Sequence, residues 1–248
     1  MHRFYLPPRA WNPDALALAD GEAHHARTVL RLQPGDKAVL FNGRGREITA
    51  EVTALEAGKI EFRRLHEAAT PPLRCRITLG QAIPKGKNMD LIVQKAVEIG
   101  AGEIAPIISD RTIVRLDPDE AAQKQAKWQT VAIEAAKQCG QNWLPEVQKP
   151  STLAAFFAEP RPYDLRLIGS LQSDALPLKK ILSDYRNDHG DRPTNVLMLI
   201  GPEGDFTPAE LNLARAQSCR PITLGPIILR VETAAIYCLS VLSYELLA

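Results

Sequence analysis

Between residues 37 and 65, apolar residues gather in three short runs that are alternating or β-branched: "KAVLFNG" (37–43), "REITAEVTAL" (46–55) and "KIEFRRL" (59–65). Period-two alternation and short apolar, β-branched runs both favour extended backbone with a face in a core, so these are read as strands. Gly43, Gly45 and Gly58 punctuate them. "EAHHARTVLR" (22–31) carries a helical pattern that stops at the turn "LQPGD". Short strands with one helix predict a small β-barrel over residues 1–70.

"HEAATPPLR" (66–74) reads as a linker, since adjacent prolines continue neither a helix nor an interior strand. From residue 74 to 248 strand-like and helix-like patterns alternate. Strands are predicted at "CRITLGQAI", "EIAPIIS", 164–171, 195–201 and 221–225. Helices are predicted over "NMDLIVQKAVEIG", closed by Gly100, and over 117–139, capped by Gly140. Further helices are expected at about 176–186, 208–218 and 232–247. Such alternation is the mark of an α/β domain with a mainly parallel sheet covered on both faces.

In such sheets ligands bind beyond the carboxyl ends of the strands. Two strand ends draw attention. "LMLIGPEGDFTPAEL" (197–211) stops an apolar run at Gly201-Pro202, turns through Glu203-Gly204-Asp205 and restarts as a helix. "LGPIILRVETAA" (224–235) repeats the Gly-Pro break at 225–226. Two neighbouring strand ends turned in this way are expected to form a concave, backbone-lined pocket for an apolar, adenine-sized ligand. Arg230 and Glu232 then bring a cation and an anion to its mouth. Glu232 and Thr233 also have a plainer role open to them, in capping and charge complement at a helix start.

Composition narrows the class. The 248 residues are 45% hydrophobic and 24% charged, with a net charge of +1, an ordinary water-soluble composition. No apolar run has the length of a membrane span and "MHRFYLPPRAWNPD" lacks a signal-peptide core, so a cytoplasmic location is expected. Cys75, Cys139, Cys219 and Cys238 are widely spaced, which predicts buried, inert thiols and neither disulfides nor a zinc cluster. No metal is expected. "GQAIPKGKN" (80–88) is not a Walker A loop: its glycines are one residue too far apart, and Asn88 stands where Ser or Thr must bind magnesium. Nor do residues 201–205 form a dinucleotide loop, because Glu203 and Asp205 would repel a pyrophosphate. Arg74, Arg76, Lys85 and Lys87 lie in a stretch free of acidic residues, suited either to phosphate or to plain solvation.

"LIGPEGDFTPAEL" with "LGPIILRVETAA" closely resembles the SPOUT class of RNA methyltransferases, and within it the family that methylates N3 of a uridine in 16S ribosomal RNA (the RsmE family). "HHARTVLRLQPGD" with "LFNG" resembles that family's N-terminal barrel, similar to a PUA domain. "KGKNMDLIVQKAVEIGAGEIAPIISDRTIV" and "EAAKQCGQNWLPEV" resemble its central motifs, so the likeness covers nearly the whole chain. The sequence departs from the usual pattern at Gln141, Asp205, Ile227 and Val231.

The resemblance implies a C-terminal SPOUT domain with a trefoil knot over about 195–248, S-adenosylmethionine as cofactor, and a homodimer. It implies Leu199, Ile200, Gly201, Glu203, Gly204, Leu224, Gly225, Leu229 and Thr233 around the cofactor. Arg230 is the candidate for steadying charge on the uracil oxygens. Glu232 either accepts the N3 proton or orients Arg230, and the sequence leaves both open. Arg3, Arg27, Arg31, Lys85, Lys87 and Arg111 are candidate grips on the phosphates of 16S ribosomal RNA in the small subunit. A methyltransferase acting on another ribosomal or transfer RNA nucleotide, and a non-catalytic RNA-binding assembly factor, are the alternative readings.

Overall fold

A computed structural model describes residues 1–56, 58–112 and 116–247. The chain divides into two compact units, Met1–Pro72 with Ala136–Leu144, and Leu73–Ala135 with Pro145–Ala248.

The first unit holds β1 (His2–Tyr5), β2 (Leu16–Ala19), the short helix α1 (Asp20–His24), β3 (Lys37–Phe41), β4 (Arg46–Glu56) and β5 (Lys59–Ala69). They form one five-stranded sheet in the order β1-β3-β4-β5-β2. The alternation seen in sequence is the alternation of burial: along β4, Ile48, Ala50 and Val52 point inward. They join Phe4, Leu18, Leu40 and Ile60 in the core of this unit. Three features differ from the pattern reading. Strands β1 and β2 are too short for alternation to reveal. β5 extends through His66–Ala69, which the sequence reading gave to the linker, because ladder pairing with β4 holds it extended as far as the residue before Thr70. The helical segment near residue 22 passes into a π-helical turn over His25–Val29, where bonds reach one residue further than in an α-helix.

The second unit contains β6 (Arg76–Ala82), α2 (Asn88–Ile99), β7 (Glu103–Ile108), most of α3 (Pro118–Cys139), β8 (Glu146–Val147), β9 (Ser151–Thr152), α4 (Leu153–Ala158), β10 (Leu165–Gly169), β11 (Leu176–Pro177), α5 (Leu178–His189), β12 (Asn195–Ile200), α6 (Pro208–Ala216), β13 (Arg220–Thr223) and α7 (Val231–Leu246). Its sheet runs β11-β13-β10-β12-β6-β7-β8, with β9 also on β7, and its pairings are parallel. The central strands are continuous apolar runs because helices cover both faces, and β12 is buried from Val196 to Ile200.

The helices follow from spacing. In α2, Met89, Ile92, Val93, Ala96 and Val97 make one buried stripe at steps of three and four. Gly100 ends it in the left-handed conformation (φ 94°), which glycine adopts without a Cβ penalty. The apolar positions of α7 repeat in the same way through Val231, Ala234, Ala235, Cys238, Leu239 and Leu242. This helix packs on α2 and against β6 and β12. On β6, Gly80 lies opposite Leu199 of β12, and a Cβ there would run into the Leu199 side chain.

Cys75, Cys219 and Cys238 are buried, but Cys139 is exposed, which corrects the expectation of four buried thiols. It is the last residue of α3, where the helix end meets solvent. Among the described residues no helix is long and apolar enough to cross a membrane.

Candidate active site

A cleft of ≈510 Å³ opens at the carboxyl ends of β10, β12 and β13, within the volume range of small-molecule sites. Three loops wall it: 169–172 after β10, 200–205 after β12 and 223–230 after β13, with the first turn of α7 and Asn88 of α2 completing it. The sequence reading took the two Gly-Pro ends as neighbours. In the sheet β10 lies between them, because strand order is set by pairing and not by succession in the chain. Gly169, Ser170, Leu171 and Gln172 therefore form a third wall. The only hint of it in the sequence is the small Gly-Ser pair closing an apolar run.

The 201–207 loop is held from both sides. Its Glu203 carboxylate accepts the backbone N–H of Lys85 at 2.9 Å, tying it to the loop that follows β6. The guanidinium of Arg111, in the loop after β7, donates to the Gly204 carbonyl. Asp205 sits at φ 61°, and its Oδ1 accepts the N–H of Phe206 at 2.7 Å, a local bond that favours Asp in a left-handed position. Thr207 then caps α6 in a reciprocal box with Glu210. Glu210 is 7% exposed and its carboxylate also accepts from Ser109 Oγ and from the Asp110 N–H, both at 3.1 Å. One buried acid thus fixes the ends of β7 and β12 together. A stiff wall results, as a preorganised pocket requires.

Of the residues singled out from sequence, Ile200, Gly201, Glu203, Leu224, Gly225, Leu229, Arg230 and Glu232 line this cleft. Leu199 lies one residue short of it and is fully buried in the core. Gly204 contributes its carbonyl to Arg111, and Thr233 is exposed on the first turn of α7. Pro202, Asp205, Ile227, Ile228, Val231 and Ala234 complete the lining.

Arg230 is the N-cap residue of α7 and is exposed. Glu232 is partly buried in the first helical turn, and its carboxylate accepts from Asn88 Nδ2 at 3.3 Å. No ion pair joins Arg230 and Glu232 among the described residues, so the acid is steered by α2 rather than by its neighbour.

The basic residues separate into distinct settings. Arg3, with a side chain 16% exposed, is committed inside its own unit to Glu47 at 2.8 Å and Asn142 at 2.6 Å, with its guanidinium over the Phe41 ring. Those contacts account for the cation without a phosphate. Burial works to raise the Glu47 carboxyl, but hydrogen bonds from Arg3 and Asn142 hold it below the usual range. Arg27 and Arg31 are exposed on and just after the π turn, with Arg31 at φ 55°. Lys85, Lys87 and Arg111 are exposed around the ends of β6 and β7.

The cleft suits S-adenosylmethionine. Ile200, Leu224, Leu229, Val231 and Ala234 offer apolar walls, while Gly169, Gly201 and Gly225 leave main chain bare to a ligand. Comparison with known proteins agrees. A family model described as an RNA methyltransferase domain matches residues 71–243, and one described as an RNA methyltransferase PUA domain matches 18–63. The chain is 30% identical over 237 residues to the ribosomal RNA small subunit methyltransferase E of Synechocystis, covering 94% of this chain and 74% of that protein. The Bacillus subtilis protein of the same name is 29% identical over 231 residues, 90% of this chain and 88% of its own. Among solved structures, the Neisseria gonorrhoeae ribosomal RNA small subunit methyltransferase E bound to S-adenosylmethionine is 34% identical, with a TM-score of 0.84 over 99% of this chain and 98% of that one. A methyltransferase of Legionella pneumophila in complex with the same cofactor is 33% identical, with a TM-score of 0.86 over 98% and 97%. The domain match over most of the chain and these similarities over nine-tenths or more of it place the protein in the ribosomal RNA small subunit methyltransferase E family.

Proposed function

We propose that this protein uses S-adenosylmethionine to methylate N3 of a uridine in the 16S RNA of the small ribosomal subunit, in the cytoplasm. The observation that carries the reading is the juxtaposition, at the ends of three adjacent parallel strands, of a main-chain-lined apolar cleft with Arg230 and Glu232. When bound, S-adenosylmethionine supplies an electrophilic methyl group.

The chain's own residues do the rest. Ile200, Gly201, Leu224, Gly225 and Leu229 hold the adenosine, and the braced 201–207 loop keeps the pocket shape fixed. Uracil N3 becomes a nucleophile on losing a weakly acidic proton, which the Glu232 carboxylate accepts. Arg230, with no ion-pair partner among the described residues, stabilises the charge that spreads over the uracil oxygens. Holding the base in this geometry removes much of the entropic cost of the encounter. N3 is on the pairing edge, so the target base must be unpaired or flipped.

A homodimer belongs to the same reading. Ile227 and Ile228, at 73% and 77% exposure on the lining of the cleft, and Tyr244, at 78% on α7, are apolar surface that a second copy would cover. So does the trefoil knot over about 195–248: β13 lies two strands from β12, yet the following helix returns to pack against α2, β6 and β12.

Methyl transfer from labelled S-adenosylmethionine to isolated small subunits, naked 16S RNA and bulk transfer RNA tests the reading, with mass spectrometry of the nucleosides. Label in 3-methyluridine from the small subunit is expected. Label in another nucleoside or in transfer RNA would overturn the assignment of substrate, and failure to bind the cofactor would overturn the assignment of enzyme.

A further inference from the structure

A second, smaller cleft of ≈160 Å³ lies beside the first, at the junction of α2 and α3. Its floor is apolar and buried: Ile83, Pro84, Met89 and the indole of Trp128, which is 3% exposed. Its rim carries three exposed lysines, Lys87, Lys124 and Lys127, against one acid, Asp90. That acid is already satisfied. Trp128 Nε1 donates to Asp90 Oδ1 at 3.1 Å and Lys127 Nζ to Oδ2 at 2.6 Å. Lys87 and Lys124 have no ion-pair partner among the described residues, so the cleft presents two uncommitted ammonium groups around a fixed aromatic floor.

Its placement matters as much as its charge. Lys87 and Asn88 are consecutive, about 3.8 Å apart along the backbone, yet Lys87 lines this cleft and Asn88 the one that holds Glu232. The loop bearing them is pinned to the main site through the Lys85 N–H and Glu203. The two clefts therefore meet at consecutive residues, which sets these lysines next to the main site.

We propose that this second cleft is a phosphate subsite for the nucleotide flanking the target uridine, with Lys87 and Lys124 gripping the phosphodiester and the Asp90–Lys127–Trp128 cluster holding the floor rigid. The inference rests on the RNA substrate proposed above and adds a site to it. Point-charge lysines read no base, so the subsite contributes affinity and register without sequence preference.

The test uses the full chain and the double variant Lys87→Ala/Lys124→Ala, with Lys179→Ala on α5 as a control for loss of an unrelated surface charge. Binding of single-stranded RNA spanning the modified nucleotide is measured against salt, alongside steady-state methylation and calorimetry with S-adenosylmethionine. Loss of one phosphate contact is expected to make the slope of log K against log salt shallower by about 0.7. KM for RNA should rise about tenfold with kcat and cofactor affinity unchanged, while the control matches the parent. An unaltered slope and KM in the double variant, from protein that still methylates RNA, would overturn the subsite and leave the enzyme reading intact. If the parent methylates no RNA but its RNA affinity still depends on these two lysines, the enzyme reading fails and the phosphate subsite stands.

Discussion

The Glu232 carboxylate accepts its hydrogen bond from Asn88, 3.3 Å away on α2, and not from Arg230 two residues before it. The two cleft-lining charges are therefore positioned separately, one by a helix packed against α7 and one by its own N-cap position. That separation gives distinguishable outcomes for mutation.

Arg230→Ala should lower kcat by about 10²–10³, the loss typical of one charge-stabilising group, with cofactor affinity nearly unchanged. Glu232→Gln keeps the contact to Asn88 but cannot take a proton, and should lower kcat by about 10²–10⁴. Asn88→Ala leaves the acid in place but unsteered, so a smaller fall, about tenfold, is expected. Steady-state methylation with calorimetry on S-adenosylmethionine checks all three. Near-parental turnover in both Arg230→Ala and Glu232→Gln would remove these residues from the mechanism.

Asp205 holds a left-handed backbone at φ 61° while accepting the Phe206 N–H. Alanine there loses the local bond and keeps the strain, so Asp205→Ala should cost about 1–2 kcal/mol. Asp205→Gly should cost little, because glycine needs no such bond. Thermal unfolding reads the difference as a few degrees between the two variants, with alanine the lower.

Asp164 links pH to stability. Burial works to raise its carboxyl, but hydrogen bonds from the Thr194 hydroxyl and from the Thr194 and Asn195 N–H groups hold it below the ordinary 3.8. A folded-state value below the unfolded one adds stability that is complete above the unfolded pKa and is lost as pH falls through the folded one. Asp164→Asn should therefore be less stable than the parent at neutral pH, with the gap closing below pH 3.8. Melting temperatures from pH 7 to pH 3 would show a constant gap if Asp164 were unlinked.

Thiol reactivity should divide the cysteines. Burial pushes Cys75, Cys219 and Cys238 up to about 12, while Cys139 is exposed. One equivalent of thiol should react quickly with an aromatic disulfide reagent in the native state, and three more only on unfolding. Cys139→Ser should abolish the fast phase.

What the sequence determined by itself is local. Period-two alternation marked β4 and the start of β5, because one face is buried and the other more exposed, while β3, buried from Ala38 to Phe41, was marked as a short apolar run. Steps of three and four marked α2 and α7, and Gly100 marked the end of α2, because backbone conformation and side-chain spacing are properties of neighbouring residues. The loop at 201–207 and the pair Arg230 and Glu232 were legible for the same reason. Each lies within a few residues of a break from apolar strand to helix start.

Only the tertiary structure decided what lies beside them. Strand order arises from pairing between segments dozens of residues apart, so nothing in the 164–171 run announced that β10 separates β12 from β13, and only the small Gly169-Ser170 pair hinted at the wall that Gly169–Gln172 form. The partner of Glu232 is 144 residues away at Asn88, and Glu210 reaches Ser109 across 101. Arg3 stands in the sequence as a candidate phosphate grip, and only folding places Glu47 and Asn142 against it. Charge in a sequence states what a side chain carries; packing alone settles whether that charge is already neutralised.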